Sequence, residues 1–282
     1  MGVAKTSLAK FSDGTPIPSD GKFHVDPLDP SKQVRCLESW TPPGVMEIIS
    51  GGNTAYLGLL HDKSVLKFPV DRYDSFSRKA LDIEHCILSD MGAHDRITIY
   101  LGKQEHGLRF ERAAKGDIRS YMSNHNIPVN LRMKWSEQAA EAISFIHSRH
   151  VIHCDIHPNN FLVDDALNLR LCDFSGSMYG NLDGAAMESV RFFLPRDAMA
   201  APTIKSDLFA LGSTIYYIMS GREPYDTSPD EEVTARYIRG EFPNVDSMPC
   251  GQIILRCWTG YFDDAQKVLL ALKERTAALP LV

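Results

Sequence analysis

The apolar pattern of this chain changes character once, near Gly116, and that change limits what it can fold into. Upstream, short apolar runs alternate with turn residues. "TAYLGLL" (54–60), a polar turn at His61–Lys63 and "SVLKFPV" (64–70) predict a β-hairpin. "SRKALDIEHCILSDMG" (77–92) sets Leu81, Ile83, Ile87 and Leu88 at helical spacing, and "RITIYLG" and "GLRFERA" predict two more strands. Downstream, helices dominate. "NLRMKWSEQAAEAISFIHSRH" (130–150) places Leu131, Trp135, Ala139, Ala142, Ile143 and Ile146 on one face. Two short strands follow, "NFLVD" (160–164) and "LNLRLCD" (167–173). In the second, Leu167, Leu169 and Leu171 alternate with polar residues. Helices are expected at 206–220 and near 229–239, 250–258 and 263–276. Strands first and helices second predict an α+β protein of two lobes with a cleft between them.

Residues 1–43 hold six of the sixteen prolines and show little periodicity, so an extended or loosely docked extension is expected there. The remainder divides at 44–113 and 114–282, within the range of a two-lobed domain of 282 residues. A net charge of −6 argues against a general electrostatic grip on nucleic acid. Six cysteines without a C-x-x-C pair argue against a zinc site or a disulfide framework, and point to a reduced, cytoplasmic or nuclear setting. The densest apolar stretch, "LFALGSTIYYIM" (208–219), is too short to span a bilayer. "MGVAKT" matches the N-myristoylation pattern at Gly2 and Thr6. A single acyl chain anchors only marginally, and no polybasic run or nearby cysteine adds to it, so no stable membrane association is expected.

The stretch "VIHCDIHPNNFLVDDALNLRLCDFSGS" (151–177) concentrates the chemistry. Asp155 and Asn160 lie five residues apart on a loop, and Asp173 ends the second of two strands, where a hairpin would return it beside Asn160. Asn and Asp oxygens are hard ligands suited to Mg²⁺ or Mn²⁺. Asp155 remains to accept a proton or orient a nucleophile. Those are the parts that phosphoryl transfer needs.

The cluster resembles the protein kinase family, whose signatures H-R-D-L-x-x-x-N and D-F-G stand here as "HCDIHPNN" and "DFSG". Further segments resemble that family in the same order. "SVLK" puts Lys67 where the family's phosphate-holding lysine sits, and "EHCIL" offers Glu84 as its partner. "FERAAKGDIRSYM" resembles the hinge that receives adenine, near Glu111 to Ala113. "SDLFALGSTIYYIMSGREPY" resembles the family's D-x-W-S-x-G helix, with Asp207 bracing the catalytic loop; "GEFP" and "RCW" fit the last third of the fold. The resemblance implies a bilobal fold over about 45–282, ATP and a divalent metal as cofactors, and a protein substrate. It also implies Asp155 as catalytic base, Asn160 and Asp173 as metal ligands, and His153 as structural support. Ser50, Gly51, Gly52, Asn53 and Lys67 would attend the nucleotide.

Departures from the pattern carry expectations of their own. The family's three glycines fall on Ile48, Ser50 and Asn53, whereas the glycines here are Gly51 and Gly52. Ser175 stands at the third position of D-F-G and would be strained if that position needs a positive φ. Cys154 replaces the arginine that pairs with an activation-loop phosphate, which predicts an enzyme not switched on by that route. Ser177, Tyr179 and Ser189 remain modifiable hydroxyls. His157 replaces the lysine of serine/threonine kinases and predicts a weaker, pH-sensitive activity. "LPR" replaces A-P-E, and Arg196 is expected to pair with Asp263 or Asp264. Three functions fit: a protein kinase acting on Ser or Thr; a pseudokinase that binds nucleotide without turnover; and a small-molecule phosphotransferase, whose H-G-D-x-H-P-x-N segment "HCDIHPNN" also resembles.

Overall fold

The computed structural model describes residues 10–18, 24–34, 40–184, 187–197 and 200–278. Gly2 and Thr6, which carry the acylation pattern, lie outside them. By Cα proximity the chain forms two compact units, 1–81 with 103–109, and 82–102 with 110–282.

The first unit is β-rich. Part of the expected extension is ordered as a hairpin of β1 (His24–Asp26) and β2 (Asp29–Val34), with an isolated bridge between Lys10 and Pro16. Ser12 donates from its backbone N and its Oγ to the buried Asp26 carboxylate, which ties the 10–16 segment to β1. β3 (Val45–Gly51), β4 (Ala55–Leu60) and β5 (Val65–Pro69) follow as an antiparallel meander. β4 and β5 form the hairpin that the apolar alternation predicts, turning at Lys63 with φ 67°. The chain continues as α1 (Ser75–Met91), β6 (Tyr100–Gln104) and β7 (Gly107–Phe110), and the five-stranded sheet has the order β3-β4-β5-β7-β6. Gly107 is required by close approach: a Cβ there would lie 2.1 Å from the Lys67 carbonyl oxygen.

The second unit is helical. α2 (Ile118–Asn124) is capped by Asp117, which accepts from Ser120 N. α3 (Val129–Ser148) buries Trp135, Ala139, Ala142, Ile143 and Ile146 as expected, while Leu131 stays half-buried. β8 (Val151–Ile152) leads to the chemistry-bearing loop, which ends in a 3₁₀ turn, Pro158–Asn160. β9 (Phe161–Val163) and β10 (Leu169–Leu171) then form the expected hairpin, Leu171 opposite Phe161. Leu167 is not part of that strand. It turns the chain with φ 58°, and its carbonyl accepts from Trp135 Nε1 at 3.0 Å. The apolar alternation therefore starts one step late, because the turn needs residue 167 for its backbone.

β11 (Met178–Tyr179) and β12 (Leu182–Asp183) precede a second 3₁₀ turn, Val190–Phe192. α4 (Ile204–Ser220) is the central buried helix. A capping box of Thr203 and Ser206 starts it, and Gly221 in the left-handed region (φ 78°) ends it, donating to the Tyr217 carbonyl. α5 (Asp230–Ile238), α6 (Gly251–Trp258) and α7 (Ala265–Ala277) complete the chain. No helix among the described residues is long and apolar enough to cross a membrane. A β-rich N-terminal region and a helical C-terminal region make the fold α+β, as the sequence predicts.

Candidate active site

The catalytic-loop candidates are set by one buried carboxylate. Asp207, on the first turn of α4, is fully buried. Its Oδ2 accepts from the backbone N of His153 at 2.8 Å and from His147 Nε2 at 2.8 Å; its Oδ1 accepts from Cys154 N at 3.0 Å. Cys154 is held in the left-handed region, φ 67°, at a cost of about 1–2 kcal/mol for a residue with a Cβ. The Asp207 bond to its N–H offsets that cost and fixes the direction in which the chain enters Asp155. The Cys154 thiol is turned inward, donating to Ile152 O at 3.3 Å.

Asp155, His157 and Asn160 form a close triangle. Asn160 donates from Nδ2 to the Asp155 carbonyl at 2.8 Å and to Asp155 Oδ2 at 3.3 Å, so its amide oxygen is the acceptor end. His157 Nδ1 accepts from the backbone N of Asn159 at 3.2 Å. That assigns the ring proton to Nε2, which lies 3.3 Å from Asp155 Oδ2. His157 Nε2 also lies 3.2 Å from Asn160 Nδ2, which closes the triangle around Asp155.

The β9–β10 pairing delivers Asp173. Cys172 N donates to the Asn160 carbonyl at 2.9 Å, which sets Asp173 one residue beyond that pair. Asp173, not Ser175, carries the positive φ, 65°, and Gly176 does not take it either. The expected strain at Ser175 is therefore absent. Its hydroxyl instead donates to Asp173 Oδ1 at 2.6 Å. Phe174 is buried, edge-on to His153 with ring centroids 5.1 Å apart, and its backbone N donates to Glu84 Oε1 at 3.2 Å. Glu84 is itself buried on α1. His153 is buried and bonds through Nε2 to the Cys172 carbonyl at 3.1 Å; its own carbonyl accepts from Ser177 Oγ at 3.0 Å. In the segment expected to meet adenine, Glu111 N donates to Ile99 O at 2.9 Å, and the Ala113 carbonyl accepts from Gly116 N at 3.1 Å.

The β-rich unit carries the other candidates. Lys67 is buried in the middle of β5. Ser50, Gly51, Gly52 and Asn53 are exposed at the β3–β4 turn, which Gly52 N closes by donating to Ala55 O at 2.9 Å. Neither glycine takes a positive φ; Gly51 is required because a Cβ would meet the Tyr56 ring at 2.5 Å.

Arg196 does not pair with Asp263 or Asp264. Those two carboxylates take Lys267, at 2.6 and 3.6 Å. Arg196 binds the buried Glu188 at 2.8 Å and covers the Phe193 ring at 4.4 Å. A nearer, buried carboxylate outcompetes two exposed ones already neutralised by a lysine within their own helix start.

Four side chains near this loop escape the sequence pattern. His147 reads as a polar helix residue, yet it holds Asp207. Arg119, Arg191 and Glu223 read as surface charges. Arg119 Nε donates to Asn159 Oδ1 at 2.7 Å and its Nη2 binds Glu223; Arg191 Nε lies 3.7 Å from the same Glu223.

Comparison with known proteins decides the family. A profile of the protein kinase domain matches residues 68–261, more than half the chain. The chain belongs to the protein kinase family. Among relatives of this chain, the serine/threonine-protein kinase PrkC of Bacillus subtilis is 23% identical over 71% of the chain and 34% of its own length. Human receptor-interacting serine/threonine-protein kinase 1 is 24% identical over 71% of the chain and 34% of its own length. The melanoma receptor tyrosine-protein kinase of Xiphophorus maculatus is 26% identical over 51% of the chain and 13% of its own length. The kinase chain thus spans about a third or less of these relatives. The profile begins one residue after Lys67 and leaves out the irregular glycine turn.

Proposed function

We propose that this kinase chain transfers the γ-phosphoryl group of ATP to a Ser or Thr hydroxyl of a protein substrate. The observation that carries the reading is the Asp155–His157–Asn160 triangle, with Asp173 delivered beside it by the β9–β10 hairpin. Asp155 is oriented by two donors on one side of its carboxylate and accepts the proton of the attacking hydroxyl. Asn160 Oδ1 and the Asp173 carboxylate are hard oxygens, and they fit Mg²⁺ or Mn²⁺. The metal, when bound, neutralises charge on the phosphate oxygens. Ser175 Oγ donates to Asp173 Oδ1 at 2.6 Å, which orients the carboxylate. Lys67, Glu84, the turn at Ser50–Asn53 and the Glu111–Ala113 segment are assigned to ATP on the order of their motifs along the chain.

The family match weighs against a small-molecule phosphotransferase. A nucleotide-binding pseudokinase is the second reading, and the glycine turn outside the matched span favours it. The test is ATP turnover with Mg²⁺ or Mn²⁺ on a generic protein substrate, beside Asp155→Asn and Asp173→Asn. Loss in both variants, by about 10²–10⁴-fold for the base, is the expected result. Stabilisation by ATP with no turnover in the wild type selects the pseudokinase. A turnover rate that stays flat between about pH 6 and 8 removes any titrating role for His157.

A further inference from the structure

The turn Val190–Phe192 carries an arginine whose partners the transfer chemistry does not explain. Arg191 is nearly buried, its side chain 15% exposed. Its Nη1 binds Asp230 at 2.6 Å, and its Nη2 donates to the carbonyls of Ser228 at 2.6 Å and Tyr225 at 3.3 Å. Its Nε faces Glu223 Oε2 at 3.7 Å. Glu223 Oε1 takes Arg119, and Arg119 Nε donates to Asn159 Oδ1. The charges alternate along a continuous chain from the 190–192 turn to the catalytic loop. The next residue makes a second contact: Phe192 is buried and sits edge-on to His157, ring centroids 6.1 Å apart. Phe192 therefore meets His157 directly, and Arg191 reaches Asn159 through Glu223 and Arg119, on either side of Pro158.

We propose that Arg191, acting through Glu223 and Arg119, positions the 190–192 turn on the catalytic loop without a phosphate group. The proposal rests on the kinase reading above. Two arginines and two carboxylates balance within the chain, so no further anion is called for. Cys154, where a cation would meet a phosphate, is buried with its thiol turned to Ile152 O. The partial burial of Arg191 and Glu223 makes each depend on the other, because removing one partner leaves a poorly solvated charge. Arg191 is a positioning residue. It touches the loop only through others.

The test uses the full chain and reads amide hydrogen exchange over 187–196 together with steady-state turnover. Glu223→Gln keeps the shape and removes the charge. It is expected to speed exchange over that segment by about tenfold or more and to lower kcat by about tenfold, with KM for ATP within about twofold. Arg191→Lys restores charge without the planar fork and is expected to exchange at a rate between wild type and Arg191→Met. Phosphatase-treated wild type is expected to keep its rate. Unchanged exchange in Glu223→Gln overturns the proposal, and so does loss of wild-type turnover on phosphatase treatment. If Glu223→Gln does not fold, Arg119→Gln on the half-exposed face of α2 interrupts the same chain and gives the same readout. A wild type that never turns over, with exchange still responding to Glu223→Gln, overturns the kinase reading and leaves the positioning role standing.

Discussion

Replacing Asp207 by Asn tests whether a single carboxylate shapes the catalytic loop. The change is isosteric, so it makes no cavity. Three donors converge on the carboxylate: His147 Nε2, His153 N and Cys154 N. An amide can offer one oxygen only. The least costly orientation keeps that oxygen on the two donors at the Oδ2 position and turns Nδ2 toward Cys154 N. One buried N–H then loses its acceptor, at about 1–3 kcal/mol, and the two remaining bonds lose their charge assistance. The total comes to about 2–4 kcal/mol. For a domain of this size that lowers Tm by roughly 4–16 °C. The loss concentrates on Cys154, where the positive φ depends on that bond. Urea unfolding, followed by a probe in the helical unit, measures the stability term. Amide exchange at His153 and Cys154 measures the local one. His147→Gln, which retains a side-chain N–H, is expected to cost less than Asp207→Asn. A change under about 0.5 kcal/mol with Cys154 exchange unaltered would refute the reasoning, since an unpaired buried N–H cannot be that inexpensive.

Two further tests address packing and pH. Gly107→Ala forces a Cβ to within 2.1 Å of the Lys67 carbonyl, a backbone atom that cannot step aside; a loss of roughly 2 kcal/mol or more in the β-rich unit is expected by thermal melt. Burial raises the thiol of Cys250 to about 12 from 9.0, and burial also raises Cys257. The unfolded chain releases these protons first, so their contribution is fully present below about pH 9 and is lost as pH rises toward 12. Stability of the helical unit should therefore fall over that window, and Cys250→Ala should flatten the fall. An equal fall in Cys250→Ala assigns the effect elsewhere.

Much of the fold was legible in local pattern. The β4–β5 hairpin, α3, the β9–β10 hairpin and α4 follow from apolar spacing and turn residues, because each hairpin pairs neighbouring segments and each helix carries its buried positions at helical spacing, whatever distant element covers them. The same holds for Asn160 and Asp173, since the β9–β10 register sets Cys172 N on the Asn160 carbonyl, and for Asp155, which Asn160 bonds five residues away. Where local rules failed, a backbone requirement or a distant partner decided. Leu167 has the right residue type for a strand but serves a turn that Trp135 receives. The motif leaves open which of its residues takes a positive φ, and the backbone puts it at Asp173, not at Ser175.

The longest-range choices were made only in three dimensions. Arg196 could pair with any nearby acid, and its sequence context does not rank Glu188 against Asp263 or Asp264; burial of Glu188 and neutralisation of the other two by Lys267 do. Arg119 and Glu223 lie 104 residues apart, and His147 and Asp207 lie 60 apart. Residue type says that such side chains carry charge or a proton. Which ones meet depends on how α2, α3 and α4 pack, because a charge takes its nearest desolvated partner and sequence distance does not enter the energy.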